Sequence, residues 1–540
     1  MATRSLARAT AIMSLGTVLS RLTGVVRLAA MAAALGIAET RLTDTYNIAN
    51  SVPNVIYELV LGGVVTAVFV PFFVELLGKE ERDRAWEVMC AILNISLLAL
   101  SAIAAAGVLA APWIAGFYAS RLEGPDVGAQ QEAIEFLLRF FIPQVVLYGL
   151  FFILAGMLNA HKRFGPPHFT QIVNNLVLIA VFVWFRATYG TVTLHSATTT
   201  HLLILGAGTT LSVAPMGVGL IPFIRKLGGY RWTIRAEHPA IRTLARSSVA
   251  VVGFVMANQV GYVVIQWIAN GQQGGFSAYV SAFTFFLLPI GLFVWPLTTA
   301  LMPSMSEHAV NGRWDAFATQ LSTGIRATIF LLVPASVGFF LLAEPMVRVL
   351  LQHGVATAAS TELVAGVLRL LVSGLVPFAL FQLFVRASYA QKDTRKPFVV
   401  NCLVIAVNTA VNVPMFALLG ARGLGAGMAI AYTLGAVVQG RMVARSAGGW
   451  ELASIADGAL RTVAAAAGMG VCVWGALTGL GHLMGDGAGA AAVEVAVGVA
   501  VGGLTFLALA RALKVNELSY VVGLFKPTRS SSAPSREGRP

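Results

Sequence analysis

The sequence predicts an all-α polytopic membrane protein with about 14 transmembrane helices, built as two parallel six-helix repeats plus two extra C-terminal helices. Three observations lead to this fold class. Hydrophobic residues make up 57% of the chain and charged residues 11%, whereas soluble chains carry about 25% charged residues. The apolar residues fall in long windows. Basic residues gather in every second loop between these windows.

The apolar windows are long enough to cross a hydrocarbon core of ~30 Å, which takes about 20 helical residues. The first window follows Arg4 and Arg8 as a signal peptide would, but it is too long and lacks a small-residue cleavage site, so we expect a retained helix. The fourteen windows cover residues 9–36, 48–77, 86–118, 131–160, 168–189, 199–224, 241–268, 275–306, 314–342, 361–390, 397–420, 424–444, 455–480 and 488–511.

The distribution of lysine and arginine predicts the orientation of these helices, because both residues prefer cytoplasmic loops. With the N-terminus inside, 26 of the 37 basic residues lie in predicted cytoplasmic segments and 5 in outer loops. The other six lie within spans. We therefore expect a multi-pass protein of the bacterial cytoplasmic (inner) membrane, with both termini in the cytoplasm.

The chain also repeats itself. Residues 132–162 align without a gap with residues 362–392, at an offset of 230 that matches Arg139 with Arg369, Ala160 with Ala390 and Lys162 with Lys392. A second match, at an offset of 232, joins residues 66–71 and Glu75 to residues 298–303 and Glu307. Since each repeat contains an even number of helices, both enter the membrane in the same direction. Such pairs of lobes commonly rock around a substrate site at the membrane midplane.

The repeat divides the chain into five predicted regions. An N-lobe with helices 1–6 spans residues 1–224, and a basic cytoplasmic linker spans 225–240. A C-lobe with helices 7–12 spans 241–446, and helices 13 and 14 span 447–512. The tail, 513–540, is rich in Ser, Pro and Arg, a composition typical of disorder.

The sequence contains no arrangement typical of an enzyme, a metal site or a nucleotide site. No HExxH, HxxxH, CxxC or GxxxxGK[ST] pattern occurs. We expect no cofactor, no metal and no nucleic-acid partner. Without a nucleotide site, any transport would run on an ion gradient, on the membrane potential or downhill.

The strongest functional signal is a pair of arginines in the first window, Arg21 and Arg27, with Gly24 between them. An arginine at the bilayer centre costs at least ~2.5 kcal/mol, so both should avoid lipid. A cationic cavity suits an anionic ligand, and arginine binds phosphate oxygens through two parallel hydrogen bonds. The structural alternative is that Arg21 pairs with Glu58, the acid deep in the second window.

Four further arginines lie inside predicted spans. Arg139 and its repeat mate Arg369 lie near the outer ends of helices 4 and 10, where a binding role and snorkelling to headgroups are both open. For Arg326 and Arg386 we expect structural roles.

At this point the residues resemble a known family. Ser20-Arg21-x-x-Gly24-x-x-Arg27, Asp44 nine residues before Pro53-Asn54, and Ala67-Val68-Phe69-Val70-Pro71 are similar to the opening of the MurJ/MviN family, the lipid II flippases of the multidrug/oligosaccharidyl-lipid/polysaccharide exporter superfamily. Later motifs extend the resemblance over helices 1–12: Leu158-Asn159-Ala160-His161-Lys162-Arg163-Phe164, Leu301-Met302-Pro303-Ser304-Met305-Ser306, Leu351-Gln352-His353-Gly354 and Tyr389-Ala390-Gln391-Lys392-Asp393-Thr394-Arg395-Lys396-Pro397.

The resemblance implies that the chain moves lipid II, the undecaprenyl-pyrophosphate-linked peptidoglycan precursor, to the outer leaflet by alternating access. Its implied partners are this anionic lipid, membrane lipids and a coupling cation. It implies that Arg21 and Arg27 meet the pyrophosphate, that Asp44 is the acid of the first outer loop, and that helices 13 and 14 form a groove for the lipid tail. The predicted substrate-binding residues are Arg21, Arg27, Asp44, Glu58, Arg139 and Arg369.

The chain departs from the family pattern at positions that carry charge in many members. Tyr57 and Glu58 replace an Arg-Arg pair, and Thr284 and Leu287 stand where an Arg and a Glu are expected. In this the chain resembles an actinobacterial-like branch of the family, with Tyr-Glu-Leu at residues 57–59 and Thr-Ala-Leu-Met-Pro at residues 299–303. Two alternatives therefore stay open: a flippase for another polyprenyl-pyrophosphate glycan, and a drug/cation antiporter of the same superfamily. A membrane glycan polymerase is disfavoured because the outer loops are short.

Overall fold

The computed structural model describes residues 2–59, 73–74, 78, 82–234, 255–485 and 487–518. Within these residues the chain is helical and forms no β-strand. Several predictions lie outside them: the 66–71 repeat motif with Glu75, the end of the second window, the start of the seventh, the linker from residue 235 and the tail from residue 519.

The N-lobe contains nine described helices. The first window becomes α1, a long helix that runs through both Arg21 and Arg27 to the first turn. The helices are α1 (Ala2–Leu35), α2 (Arg41–Tyr57), α3 (Arg82–Leu109), α4 (Ala111–Ala119), α5 (Asp126–Phe141), α6 (Gln144–Ala160), α7 (Gly165–Tyr189), α8 (Thr199–Val218) and α9 (Ile221–Arg225).

The C-lobe begins with α10 (Val255–Ala269). One π-helical turn, Ile290–Val294, interrupts the eighth span. The remaining helices are α11 (Gly275–Pro289), α12 (Trp295–Val310), α13 (Trp314–Leu351), α14 (Ala358–Ser373), α15 (Leu375–Ala390), α16 (Arg395–Leu419) and α17 (Arg422–Ser446), followed outside the repeat by α18 (Leu452–Leu483) and α19 (Ala488–Ala512).

Each of the fourteen predicted windows contains at least one of these helices. Ten helices or continuous helix pairs in the described part of the chain are long and apolar enough to cross a membrane. The pair α14 and α15, bent by 48° at Gly374, makes an eleventh candidate span. The all-α membrane fold is confirmed, whereas the count of fourteen crossings stays a prediction.

The repeat is visible in backbone conformation. Lys162 and Lys392, which lie 230 residues apart, both have φ 60°, a left-handed conformation that few non-glycine residues adopt. Each lies in the tight turn between two helices, α6 and α7 in one lobe and α15 and α16 in the other. The two halves therefore share an unusual local geometry as well as sequence.

The start of the linker packs along α3. The Trp86 indole Nε1 donates to the Gly229 carbonyl at 2.6 Å, and the Asn94 amide donates to the carbonyls of Arg231 and Thr233 at 3.3 and 2.9 Å. The Tyr230 hydroxyl donates back to Asn94 at 2.8 Å. The segment is irregular, so no helix or sheet supplies hydrogen bonds to these backbone carbonyls. The side chains of Trp86 and Asn94 supply them instead.

The apolar cores show how the lobes meet. One cluster contains side chains from both lobes and includes Leu28, Ile48 and Phe285. Two further clusters are separate, one built from N-lobe residues around Trp86 and one from C-lobe residues around Phe384. A fourth joins α18 and α19 to α13. The lobes therefore share a core at one end of the bundle and have separate cores at the other.

Candidate functional site

The end at which the lobes share a core carries the predicted outer loops, and we call it the outer end. Here α2 of the N-lobe meets α11, its counterpart in the C-lobe. The buried Asp44 carboxylate accepts from the Gly274 amide at 2.6 Å, the Ser277 amide at 2.9 Å and the Ser277 hydroxyl at 2.7 Å. Amides at a helix N-terminus favour negative charge, so the first turn of α11 is suited to a carboxylate.

Gly274 allows this close approach. Its φ of +74° is left-handed, and a Cβ built there would lie 2.5 Å from the Ile37 carbonyl oxygen. Gly274 is the position 230 residues after Asp44, and Ser277 stands at the same offset from Asn47. The Asn47 amide donates to the Ser277 hydroxyl at 2.9 Å. Equivalent positions of the two repeats therefore touch across the lobe boundary.

A second set of bonds joins the first outer turn to the loop before α14. The Glu39 carboxylate accepts from the Thr357 amide at 2.7 Å and from the hydroxyls of Thr357 and Ser360, each at 2.6 Å. Burial alone would raise the pKa of Glu39, but these hydrogen bonds and one from the Ile37 amide hold the pKa below its usual value. The carboxylate is therefore stabilised as an anion between the lobes.

A third set surrounds the end of α10. Gln266 accepts from the Ser51 hydroxyl at 3.0 Å and the Tyr118 hydroxyl at 2.8 Å. The Asn270 side chain exchanges hydrogen bonds with Gln130, both at 2.9 Å. The side chains of Gln130, Gln266 and Asn270 are fully buried, and Tyr118 and Ser51 are only 3% and 7% exposed. We call the interlobe bonds of Glu39, Asp44, Gln266 and Asn270 the outer seal.

Arg41 extends the outer seal at its edge. Its guanidinium donates to Asp126 at 2.7 Å and to the Asn270 carbonyl at 3.2 Å, and His195 contacts the other Asp126 oxygen at 2.8 Å. Although burial tends to raise the pKa of Asp126, the bonds from His195 and Arg41 lower it overall. Arg41 thereby ties an N-lobe ion pair to a C-lobe backbone carbonyl.

At the opposite end, which we call the inner end, a cation–π contact joins the two lobes. The Arg21 guanidinium carbon lies 5.7 Å from the centroid of the Trp295 ring, which begins α12 directly after the π-helical turn. Both side chains are exposed. No ion pair links Arg21 to Glu58 among the described residues, so the structural pairing considered from the sequence is absent there.

Arg27 lies on the same helix as Arg21, six residues closer to the outer end. Its side chain is exposed, and its charge acts on the hydroxyls of Tyr46 and Tyr148. Tyr148 in turn lies 5.9 Å from the ring of Tyr57, at the end of α2. Half-buried Glu58 follows directly. Arg27 is therefore an accessible N-lobe cation between Arg21 and the outer end of α1.

Arg139 and Arg369, the other predicted binding residues, both have acidic partners. Arg139 lies 2.5 Å from Glu135, one turn earlier on α5. Arg369 lies 3.4 Å from Glu344, which also pairs with Arg348 at 2.9 Å. No described contact brings either arginine to Arg21 or Arg27. The structure thus places Arg21 against Trp295 of the C-lobe, Arg27 exposed on the same helix, Asp44 in the outer seal, and Arg139 and Arg369 in ion pairs.

Sequence reasoning missed the partners that define this geometry, above all Gly274, Ser277 and Trp295. The repeat contained a signal for the first two, because adding 230 to Asp44 and Asn47 gives their positions. No comparable signal pointed to Trp295. Within the described ranges, no group of three or more His, Cys, Asp or Glu residues is arranged to hold a metal ion.

Comparisons with known proteins agree with one another. The model of a family described as "Lipid II flippase MurJ" matches residues 31–483. A Rhizobium tropici protein named probable lipid II flippase MurJ is 28% identical over 426 residues, covering 77% of each chain. A lipid II flippase MurJ of Burkholderia cenocepacia is 26% identical over 410 residues, covering 76% of this chain and 78% of the relative.

Two solved structures share the fold. One is a lipid II flippase MurJ in an inward closed conformation, with a TM-score of 0.74 at 19% identity, covering 93% of this chain and 99% of that one. The other is an inward-facing multidrug resistance MATE family transporter of the MOP superfamily, with a TM-score of 0.63 at 15% identity, covering 79% and 94%.

Proposed function

This chain belongs to the MurJ family of lipid II flippases, and from that premise we propose that it moves lipid II from the inner to the outer leaflet of the bacterial cytoplasmic membrane. The family is one of transporters. Lipid II is a membrane-anchored pyrophosphate, so its transfer requires a route for a charged head group through the bilayer. A pair of lobes that separates at alternate ends supplies such a route.

The observation that carries this mechanism is the difference between the two ends of the bundle. The outer seal closes one end with hydrogen bonds to the buried Asp44 carboxylate, the half-buried Glu39 carboxylate and buried side-chain amides. At the other end the lobes have separate cores and meet through Arg21 and Trp295. A head group would enter from the inner end, and release would require the outer seal to break while the inner end closes.

Within this mechanism Arg21 and Arg27 bind the pyrophosphate. Both side chains are accessible, and an arginine fork matches two phosphate oxygens. Asp44 is proposed to act in closure, because the seal already uses both of its oxygens. Glu58 is proposed to border the same space. For Arg139 and Arg369 we retain a binding role in the outward-open state, after separation from Glu135 and Glu344.

The lipid tail is proposed to lie against helices α18 and α19. Support comes from an apolar cavity of about 480 Å³ where α13, α14 and α18 meet. Its lining includes Phe340, Val372, Gly470 and Trp474. A polyprenyl chain is fully apolar, so inside the bilayer such a surface can hold it by van der Waals packing. We further propose that both termini lie in the cytoplasm. We also propose that an ion gradient, acting through a coupling cation, drives the transport.

The departures at Tyr57, Glu58, Thr284 and Leu287 favour a second candidate, a flippase for another polyprenyl-pyrophosphate glycan. Fewer cations around the head group would suit a substrate with less negative charge beyond the pyrophosphate. Both candidates share the same route and the same role for Arg27.

Depletion in a bacterium with this protein as its only flippase tests the proposal. Mass spectrometry of lipid-linked precursors is expected to show lipid II accumulating, and Arg27→Ala is expected to leave this accumulation uncorrected. Arg441→Ala, which changes an exposed arginine near the inner end of α17, serves as the matched control and should restore normal levels. Accumulation of a different polyprenyl-pyrophosphate glycan would establish the second candidate, and accumulation of neither would refute both.

A further inference from the structure

A third arginine inside a predicted span stands out because it has no partner. Arg386 lies on α15, is half-buried, and makes no hydrogen bond or ion pair within the described residues. Arg326, which the sequence placed in the same structural class, differs from it. Arg326 donates to the Ser454 hydroxyl and lies 3.5 Å from the buried Glu517. A half-buried guanidinium without a partner is costly unless a ligand or water supplies acceptors.

The accessible face of α15 identifies the direction in which Arg386 points. Gln382, Arg386 and Tyr389 follow one another at helical spacing and are accessible, whereas Leu383, Phe384, Val385, Ala387 and Ser388 between them are buried. One turn before Gln382, Phe378 lies on the same side of the helix. Its ring contacts Phe286 of α11 at 5.5 Å and Tyr432 of α17 at 4.8 Å. The face therefore continues from the contact with α11.

The repeat shows what lies in front of this face. Subtracting 230 places Phe378, Gln382 and Arg386 at Tyr148, Phe152 and Gly156 of α6. On α6, Tyr148 and Phe152 contact Tyr57 at 5.9 and 4.5 Å, and the charge of Arg27 reaches Tyr148. This face of α6 packs against the end of α2, the helix that meets α11 at the lobe boundary. By the same symmetry, the matching face of α15 is turned toward α11, and the contact of Phe378 with Phe286 agrees with this.

Arg386 is the one cation on the two described helices of this wall, α11 and α15. Leu287 occupies the position 230 residues after Tyr57, and the Thr284 hydroxyl donates to the Val280 carbonyl of its own helix at 2.9 Å. Arg386 lies four residues before Ala390, the end of α15, a rise of about 6 Å. Arg27 lies eight residues before Leu35, at the other end of the bundle, a rise of about 12 Å. The cations are therefore spread along the depth of the space.

We propose that Arg386 is a substrate-binding residue that contacts a phosphate oxygen of the lipid-linked pyrophosphate from the C-lobe, near the inner end. This inference rests on the proposed function and adds a residue to it. Arg386 meets the head group as it enters, and Arg21 and Arg27 hold it deeper between the lobes. One cation from the C-lobe and two from the N-lobe give the head group contacts on both walls.

Binding of defined lipids to the purified full-length protein tests this assignment. The probes are undecaprenyl pyrophosphate and uncharged undecaprenol, each titrated in nanodiscs and followed by native mass spectrometry. Arg386→Gln is expected to weaken binding of the pyrophosphate about tenfold, the size of a lost charge-assisted hydrogen bond, and to leave undecaprenol binding unchanged. Arg445→Gln, an exposed arginine at the inner end of α17, is the control.

A second variant keeps the test independent of folding. Gln382→Arg in the Arg386→Gln background returns a cation to the same face one turn away and is expected to recover part of the lost affinity. Equal pyrophosphate affinity in the wild type and Arg386→Gln would overturn the assignment, as would equal losses for both lipids without recovery in the double variant. If depletion of the wild-type protein from cells caused no lipid-linked precursor to accumulate, the proposed function would be refuted instead. The two failures are therefore distinct.

Discussion

The Asp44→Asn substitution is expected to open the outer seal. Asp44 accepts three hydrogen bonds across the lobe boundary, from the Gly274 amide and from the amide and hydroxyl of Ser277. Asparagine keeps one acceptor oxygen and turns an NH₂ group toward donors. With its oxygen where it accepts from both Ser277 donors, asparagine loses the Gly274 bond, and the two remaining bonds lose their charge. At about 1.5 kcal/mol or more for each charge-assisted bond, offset by water in the open state, closure weakens by about 2–4 kcal/mol.

That free energy corresponds to a factor of roughly 30 to 900 in the equilibrium between closed and open forms. Electron paramagnetic resonance distances between spin labels at Thr200 and Leu419, exposed positions near the outer ends of the two lobes, would measure it. The three native cysteines, Cys90, Cys402 and Cys472, would first be replaced. The variant is expected to add a longer distance component that is weak or absent in the wild type.

Asp393→Asn is the matched control. Asp393 accepts from the amides of Arg395 and Lys396 at 3.1 Å in the turn before α16, within one lobe at the inner end. Its substitution should leave the outer distances as they are in the wild type. If Asp44→Asn and Asp44→Ala both kept the wild-type distance distribution, Asp44 would not hold the lobes together, and the closure role assigned to it would be wrong.

Three further predictions concern the same equilibrium. Gly274→Ala should separate the outer ends in the same distance measurement, because its Cβ would lie 2.5 Å from the Ile37 carbonyl oxygen. The lowered pKa of Glu39 stabilises the closed form above the ordinary value of 4.5, and this stabilisation is lost as the pH falls through the lowered pKa. Burial raises the pKa of Asp44 to about 6, which favours the closed form in acid and so acts in the opposite direction. The contribution of Glu39 is therefore measured by comparing variants: from about pH 7 to about pH 4, the wild type should gain more open form than Glu39→Gln. Trp295→Leu removes a cation–π contact of about 0.5–2 kcal/mol, so spin labels at the inner ends of the two lobes should report wider separation. Trp295→Phe should retain most of the contact with Arg21. Identical inner distances in both variants would contradict this.

Much of the fold could be predicted from the sequence because its main signal is the length of an apolar helix, which the bilayer sets. Each predicted window contains a helix for this reason. The breaks inside windows were less visible. Pro143 between α5 and α6 is a plain sequence signal, whereas the 48° bend at Gly374 depends on packing against Ala429, whose Cα would lie 2.7 Å from a Cβ at that position.

The site was predicted in part. The free-energy cost of placing a charge in the bilayer pointed to Arg21 and Arg27. That argument does not require knowing which residues contact them. The roles of Asp44 and Arg386 depended on what surrounds them, and one sequence does not state which helices of two lobes touch. Asp44 is held by amides at the start of α11, and Arg386 differs from Arg326, Arg139 and Arg369 because no acid in the described part of the chain pairs with it. The offset of 230 is the sequence feature that links residues of the two lobes, and it relates Asn47 to Ser277 and Tyr148 to Phe378.

The chemistry of the outer seal also determines which mutations a genetic selection would recover. Three of its donors are backbone amides that no substitution removes, those of Gly274, Ser277 and Thr357, and next to the seal the Val355 amide also bonds the Ala33 carbonyl across the lobes. A random library would therefore find seal-opening alleles at few codons. These are expected to be the carboxylates of Glu39 and Asp44, the buried side-chain amides of Gln130, Gln266 and Asn270, and glycine positions where a side chain adds bulk.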